Sequence, residues 1–300
     1  MRGRALLLYS TCCLIWGSTW LAIKIGLDDL PPFYFAGLRM GIACLMLTAF
    51  VFRARPRPTP SQVRAIALAG FLQIGLSYAL IFAAERTTAS GLAALLFATY
   101  PIWISLFAHA LLPDEPLRTA AALAGLLGVA GVAILELPAI GTTVAGGRFP
   151  VAAVLPLGAS IASAFANVWM KRRLSDVHPP VNLWGQTLVG SAFLLALSLA
   201  FESGRPARWS LRAAGALAYL SVFGTVVAFL ALFWLIPRVP MATIGVIPLI
   251  DTLVAVVLGA LVLGEPVGGR LWAGGAMILA GAALVNRAGP APAECAVSGS

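Results

Sequence analysis

Asp251 lies in the middle of an apolar run, IPLIDTLVAVVLGALVL, that holds no other acid or base. In hydrocarbon a central Asp is unfavourable by about 2.5–3.5 kcal/mol on insertion scales. Its carboxyl must therefore be protonated, paired or facing water, which makes it the candidate for reversible proton binding. A structural hydrogen bond to a helix broken around Pro248 is the competing role. Arg39 stands a few turns into another apolar run. It suits a carboxylate contact, since a guanidinium keeps its charge and grips carboxylates with a planar fork. The plainer alternative turns it outward toward Asp28 or Asp29.

Two stripes of polar and aromatic residues repeat at helical spacing. Tyr9, Cys13, Trp16, Trp20 and Lys24 share one face, and Ser160, Ser163, Asn167 and Lys171 share another. A polar stripe inside a bilayer is costly unless it lines water or protein. Gln73 with Ser77, and Ser221 with Thr225, share faces in two further runs, and Tyr78, Thr99, Tyr100 and Trp169 add polar-tipped rings and hydroxyls. A cavity for a small organic solute is mostly apolar with a few placed polar groups. The candidate lining is thus Trp16, Trp20, Gln73, Ser77, Tyr78, Thr99, Tyr100, Ser163, Asn167, Trp169, Thr225 and Pro248. Lys24 and Lys171 fall near run ends, where they snorkel, and Glu115 and Glu265 precede prolines as caps at helix starts. His109 and His178 have no motif partner, and no HExxH, Walker A or GxSxG sequence calls for a metal, nucleotide, cofactor or acyl chemistry.

The elements that must hold these residues follow from composition. The chain has 300 residues, 60% hydrophobic and only 10% charged, where soluble domains carry roughly 25% charged residues. Apolar runs long enough to cross a hydrocarbon core recur throughout. They place spans at 5–26, 33–52, 63–84, 89–112, 117–136, 150–171, 181–201, 211–235, 240–263 and 267–286, ten in all. The fold class is an all-α membrane protein. The net charge of +9 does not point to nucleic acid, because Lys and Arg fall in the short connectors. Arg53, Arg55, Arg57, Lys171, Arg172, Arg173 and Arg238 alternate to the N-terminal side, which reads as cytoplasmic. Only the Arg205, Arg208 and Arg212 cluster dissents. Both termini are expected inside, in a multi-pass protein of the inner membrane.

The chain also repeats itself. A shift of 150 residues carries Glu115-Pro116 onto Glu265-Pro266 and Gly131 onto Gly281; a shift of 148 carries Pro31-Pro32 and Gly37 onto Pro179-Pro180 and Gly185. A shift of 147 lays the stripe Cys13, Trp16, Trp20, Lys24 on Ser160, Ser163, Asn167, Lys171. The expected organisation is a first five-helix repeat over 1–137, an outer connector over 138–149, a second repeat over 150–287 and a disordered tail over 288–300. An odd number of spans per repeat inverts the second copy, an architecture whose binding site lies where the halves meet.

The motif Trp16-Gly17-Ser18-Thr19-Trp20, Pro31-Pro32 with Arg39 seven residues on, the segment Thr88–Pro101 and the two Glu-Pro turns resemble the EamA-type ten-helix transporters of the drug/metabolite transporter superfamily. The resemblance covers essentially residues 5–287. It implies export of small metabolites, often amino acids, by exchange with protons, from a site lined by spans 1, 3, 4, 6, 8 and 9. The partners expected are a small-molecule substrate, protons and the lipid bilayer. Rival readings are a passive channel or lipid scramblase, and an integral membrane enzyme using Asp251 with His109 or His178. A channel needs a continuous polar pore, whereas these stripes are short and carry aromatic side chains.

Overall fold

The computed structural model describes residues 3–53, 57–85, 96–117, 119–135, 149–263 and 269–287. Glu265-Pro266, most of the Thr88–Pro101 segment, the connector before Phe149 and the tail after Arg287 lie outside the described residues.

Among the described residues ten helices follow one another: α1 (Gly3–Leu27), α2 (Pro32–Arg53), α3 (Pro60–Gly70, running on through Phe71–Leu76 and Ser77–Glu85), α4 (Tyr100–Leu111), α5 (Thr119–Leu135), α6 (Phe149–Arg173), α7 (Pro179–Phe201), α8 (Leu211–Tyr219, Leu220–Val227 and Ala228–Leu235), α9 (Met241–Gly245, then Ile247–Leu263) and α10 (Gly269–Arg287). By length and composition, five of the described helices suffice to cross a bilayer; α4 and α5 are shorter apolar helices beside undescribed residues. Ends are set by local chemistry. At α3, Thr59 and Gln62 form a reciprocal capping box with Pro60 in the first turn. At α8, Ser210 accepts from the Ala213 amide at 3.1 Å, which satisfies one of the donors a helix start leaves free.

The packing repeats when the halves are exchanged. The second and fifth helices meet their own counterparts, α2 against α7 and α5 against α10. Around them α1 packs on α8 and α9, and its counterpart α6 packs on α3 and α4. Two inverted five-helix repeats related by a two-fold axis account for this. The α5–α10 crossing shows the symmetry at atomic scale. A Cβ at Gly131 would sit 2.6 Å from the Gly274 carbonyl oxygen, and one at Gly281 would sit 2.8 Å from that of Ala124. The shift of 150 maps the first contact on the second. Small residues there let backbones approach closely, as membrane helices require.

Each half also carries a feature that no residue-type pattern foretold. The third helix of each repeat passes through a π-helical stretch, Phe71–Leu76 in α3 and Leu220–Val227 in α8. Such wide turns are rare inside α-helices and occur frequently at functional sites.

Candidate functional site

A cavity of about 120 Å³ lies where the halves meet, large enough for several waters or one small organic molecule. Its lining comes from α1, α2, α3, α4, α6, α8 and α9. On α1, α3 and α4 the lining positions lie toward the ends remote from where α1 begins. Toward the start of α1 it ends on buried apolar side chains, among them Ile104, Val168, Phe233, Leu235 and Met241.

One wall is built on the π stretch of α8. Trp16 Nε1 donates to the Gly224 carbonyl at 3.1 Å, and Arg39 Nη2 donates to the same oxygen at 3.0 Å. Arg39 Nε donates to Thr225 Oγ1 at 2.8 Å, and its guanidinium lies 5.3 Å from the Tyr78 ring centroid. Arg39 is 2% exposed, and no acid lies within salt-bridge distance of it among the described residues. The outward turn toward Asp28 or Asp29 is therefore not what the structure shows. Arg39 stands two turns inside α2, where α8 covers it and the Gly224 carbonyl oxygen accepts its hydrogen bond.

The facing wall is polar. Asn167 Nδ2 points at Gln73 Oε1 (3.1 Å), Tyr100 Oη (2.6 Å) and the Ser163 carbonyl (3.1 Å). Ser163 Oγ donates to Ser77 Oγ at 2.8 Å, and Ser77 donates onward to the Ala159 carbonyl at 3.2 Å. Three acceptors compete for two protons on one amide nitrogen. The Asn167 Oδ1 atom is buried with no hydrogen-bond partner, an arrangement that favours a donor arriving from the cavity.

Asp251 closes the lining from α9. It is 8% exposed and has no cation within salt-bridge distance among the described residues. Thr252 Oγ1 lies 3.5 Å from its Oδ1 while donating to the Pro248 carbonyl at 2.9 Å. Helix α9 breaks at Val246, between Met241–Gly245 and Ile247–Leu263. Its repeat counterpart turns at Ala98-Thr99 before α4.

Of the residues singled out from the sequence, Trp16, Trp20, Arg39, Gln73, Ser77, Tyr78, Tyr100, Ser163, Asn167, Pro248 and Asp251 share this one cavity. Thr99, Trp169 and Thr225 do not line it. Thr99 Oγ1 donates to the Leu96 carbonyl and accepts from Trp103 Nε1. Trp169 stacks on Phe165 and lies under Arg173. Thr225 supports Arg39 from behind. The sequence reading passed over Thr19, Ile23, Phe82, Phe97, Phe229 and Leu232, which do line the cavity. Thr19, Ile23 and Phe82 stand three or four positions from Trp16, Trp20 and Tyr78, so helical spacing was the available signal.

Lys171 and Glu115 also depart from expectation. Lys171 does not snorkel and Glu115 does not cap its own segment: the two form a salt bridge at 2.6 Å. Glu115 Oε2 accepts from the Met241 amide at 2.7 Å, and Lys171 Nζ donates to the Val239 carbonyl at 2.5 Å. The chain reversal between α8 and α9 brings a free amide and a free carbonyl to them.

The EamA-like transporter family matches this chain twice, over residues 3–137 and 151–287. The inner membrane transporter YedA of Escherichia coli, described as uncharacterized, is 30% identical over 91% of this chain and 87% of its own length. The uncharacterized transporter YvbV of Bacillus subtilis is 26% identical over 99% and 96%, and YoaV of the same organism is 28% identical over 75% and 77%. A crystal structure of another protein superposes with a TM-score of 0.78 at 22% identity, over 96% of this chain and 99% of that one, a likeness of fold.

Proposed function

Because this multi-pass membrane protein belongs to the EamA-like transporter family, we propose that it exports a small amphipathic metabolite, an amino acid or a related compound. It does so from the cytoplasmic membrane with both termini inside, by alternating access to the cavity between its halves. One observation carries this reading. Arg39 and Asp251, buried and each without a partner of opposite charge among the described residues, face a single small cavity. Leaving two such groups unpaired is expensive, and a solute bearing a carboxylate and an amine compensates both. Arg39 receives the carboxylate, the unpaired Asn167 carbonyl and Asp251 face the amine, and Trp16, Trp20 and Phe229 pack the apolar remainder. Asp251 exchanges a proton when the solute leaves, which couples export to the proton gradient.

Inverted vesicles loaded against a panel of labelled amino acids test the substrate class; no uptake of any member overturns it. The coupling is tested by Asp251→Asn, which keeps shape and most hydrogen bonding but cannot titrate. Gradient-driven uptake should vanish while counterflow at equal concentrations persists. Full gradient-driven uptake by this variant would end the coupling role, and loss of both activities together would reduce Asp251 to its contact with the amine.

A further inference from the structure

Below the cavity floor, on the side where α1 begins, a polar latch crosses the boundary between the halves. Glu115 follows α4 in the first repeat; Lys171 ends α6, and Val239 and Met241 flank the turn into α9, all in the second. One carboxylate oxygen of Glu115 pairs with Lys171 and the other accepts from the Met241 amide. Lys171 adds a bond to the Val239 carbonyl. The two side chains are 18% and 16% exposed, so they are screened less than surface pairs are. Lys171 stands one helical turn beyond Asn167, and Met241 one turn before Ile244 of the cavity floor. The latch thus joins the helices that carry the site, at the end where the cavity is shut.

The repeat supplies the contrast. Lys24 is the counterpart of Lys171 at the opposite end. It is exposed and makes no salt bridge with any described residue. Glu265, the counterpart of Glu115, lies outside the described residues, so the contrast that stands is one of burial: Lys24 is exposed where Lys171 is 18% exposed.

We infer that the Glu115–Lys171 pair, with its bonds to the α8–α9 turn, is the latch that holds the cavity shut toward the side bearing the N-terminus. Opening that side requires α9 to leave α6, which breaks both charged contacts together. In the orientation proposed above this is the cytoplasmic gate; the inference rests on alternating access but on no particular substrate.

Labelling tests it without transport. Full-length protein with Cys12, Cys13, Cys44 and Cys295 replaced carries Ile244→Cys in the cavity floor, and a membrane-impermeant maleimide is applied from each side in sealed vesicles. Glu115→Gln keeps an acceptor for the Met241 amide and removes only the ion pair. It should raise labelling from the N-terminal side roughly tenfold, the response expected for losing about one charged hydrogen bond from a closed state. Lys171→Met should do the same, while Lys24→Met should leave N-terminal-side labelling at the parent rate. Parent rates in both latch variants would overturn the inference, because a mere helix cap survives Glu115→Gln. Failure of both to accumulate as folded protein would also overturn it, since a latch that only gates is dispensable for folding. Substrate identity enters none of these outcomes, so a failed export assay leaves the result intact.

Discussion

The stripe on α1 and the stripe on α6 occupy equivalent positions of the repeat, yet they present unlike surfaces to one cavity. Trp16 and Trp20 supply indole faces where Ser163 and Asn167 supply small polar groups. The same divergence holds for the charges. Arg39 is answered in the second half by Thr187, whose hydroxyl bonds to the Leu183 carbonyl at 2.9 Å and the Trp184 carbonyl at 3.0 Å and lies beside the Cys44 thiol, away from the cavity. Asp251 is answered by Pro101. Duplication has kept the positions that set helix spacing and released those that face the cavity. A pair of identical walls would suit a symmetric or featureless solute. Unlike walls give the ligand one orientation, with a charged end, a hydrogen-bonding end and an apolar flank.

The sharpest test of this asymmetry compares Arg39 with Thr187. Arg39→Met removes the bonds to Thr225 and the Gly224 carbonyl together with the cavity's fixed positive charge. Binding and counterflow should fall on the order of a hundredfold, the scale of one or two charged hydrogen bonds. Arg39→Lys should recover only part of this, because an ammonium does not reproduce the planar fork. Thr187→Val should change neither quantity by more than about twofold, since the bonds lost lie away from the cavity. Equal losses at both positions would mean that the walls are functionally alike.

Helix spacing predicts the opposite outcome, equality. Gly131→Ala and Gly281→Ala each drive a methyl toward a carbonyl oxygen, Gly274 in one case and Ala124 in the other. Each should destabilise the protein by about 1–3 kcal/mol, the usual cost of overpacking. A Cβ at Gly269 meets nothing within 4 Å, so Gly269→Ala should be neutral or slightly stabilising. Thermal unfolding in detergent separates the three. A loss at one crossing without the other would show that the two-fold symmetry of the α5–α10 packing is only apparent.

The same division explains what the sequence could and could not reveal. Span limits drawn from hydropathy fall within a few residues of α1, α2, α6, α7 and α8, because an apolar run bounded by Pro or Arg has little choice of conformation in a bilayer. The repeat was legible wherever it rests on residues of special geometry, as at Pro31-Pro32 and Gly131. Cavity residues with a distinctive polar type were also legible, as with Asn167 and Asp251. What escaped depends on neighbours across the fold. The π stretches of α3 and α8 have no residue signature. The burial of Arg39 depends on the Gly224 oxygen and Thr225 hydroxyl that this stretch presents to it, and the Glu115–Lys171 pair needs the α8–α9 turn beside it. Trp169 has the chemistry of a cavity residue, but its register on α6 turns it to Phe165.

The smallest effect expected is also the finest probe of the two walls. Trp16 and Ser163 are repeat counterparts, and each reaches into the third helix of the other half, Trp16 to Gly224 of α8 and Ser163 to Ser77 of α3. Trp16→Phe removes the indole donor but keeps a ring against Phe229, which Trp16 meets edge-on at 5.3 Å. The Gly224 oxygen is not orphaned, because Arg39 Nη2 still donates to it. Ser163→Ala likewise leaves Ser77 donating to the Ala159 carbonyl. With no buried group abandoned, each substitution should cost about 0.5–1.5 kcal/mol of stability, the net worth of one neutral hydrogen bond. The walls should part in the double variants. Trp16→Phe combined with Arg39→Met leaves the Gly224 oxygen without either donor, so the combined loss should exceed the sum by roughly 1–3 kcal/mol, the penalty of an unpaired buried acceptor. Ser163→Ala combined with Thr187→Val shares no acceptor and should be additive within about 0.5 kcal/mol. Additivity in the first pair would mean that Trp16 and Arg39 do not depend on the same carbonyl, and the wall built on the π stretch of α8 would lose its basis.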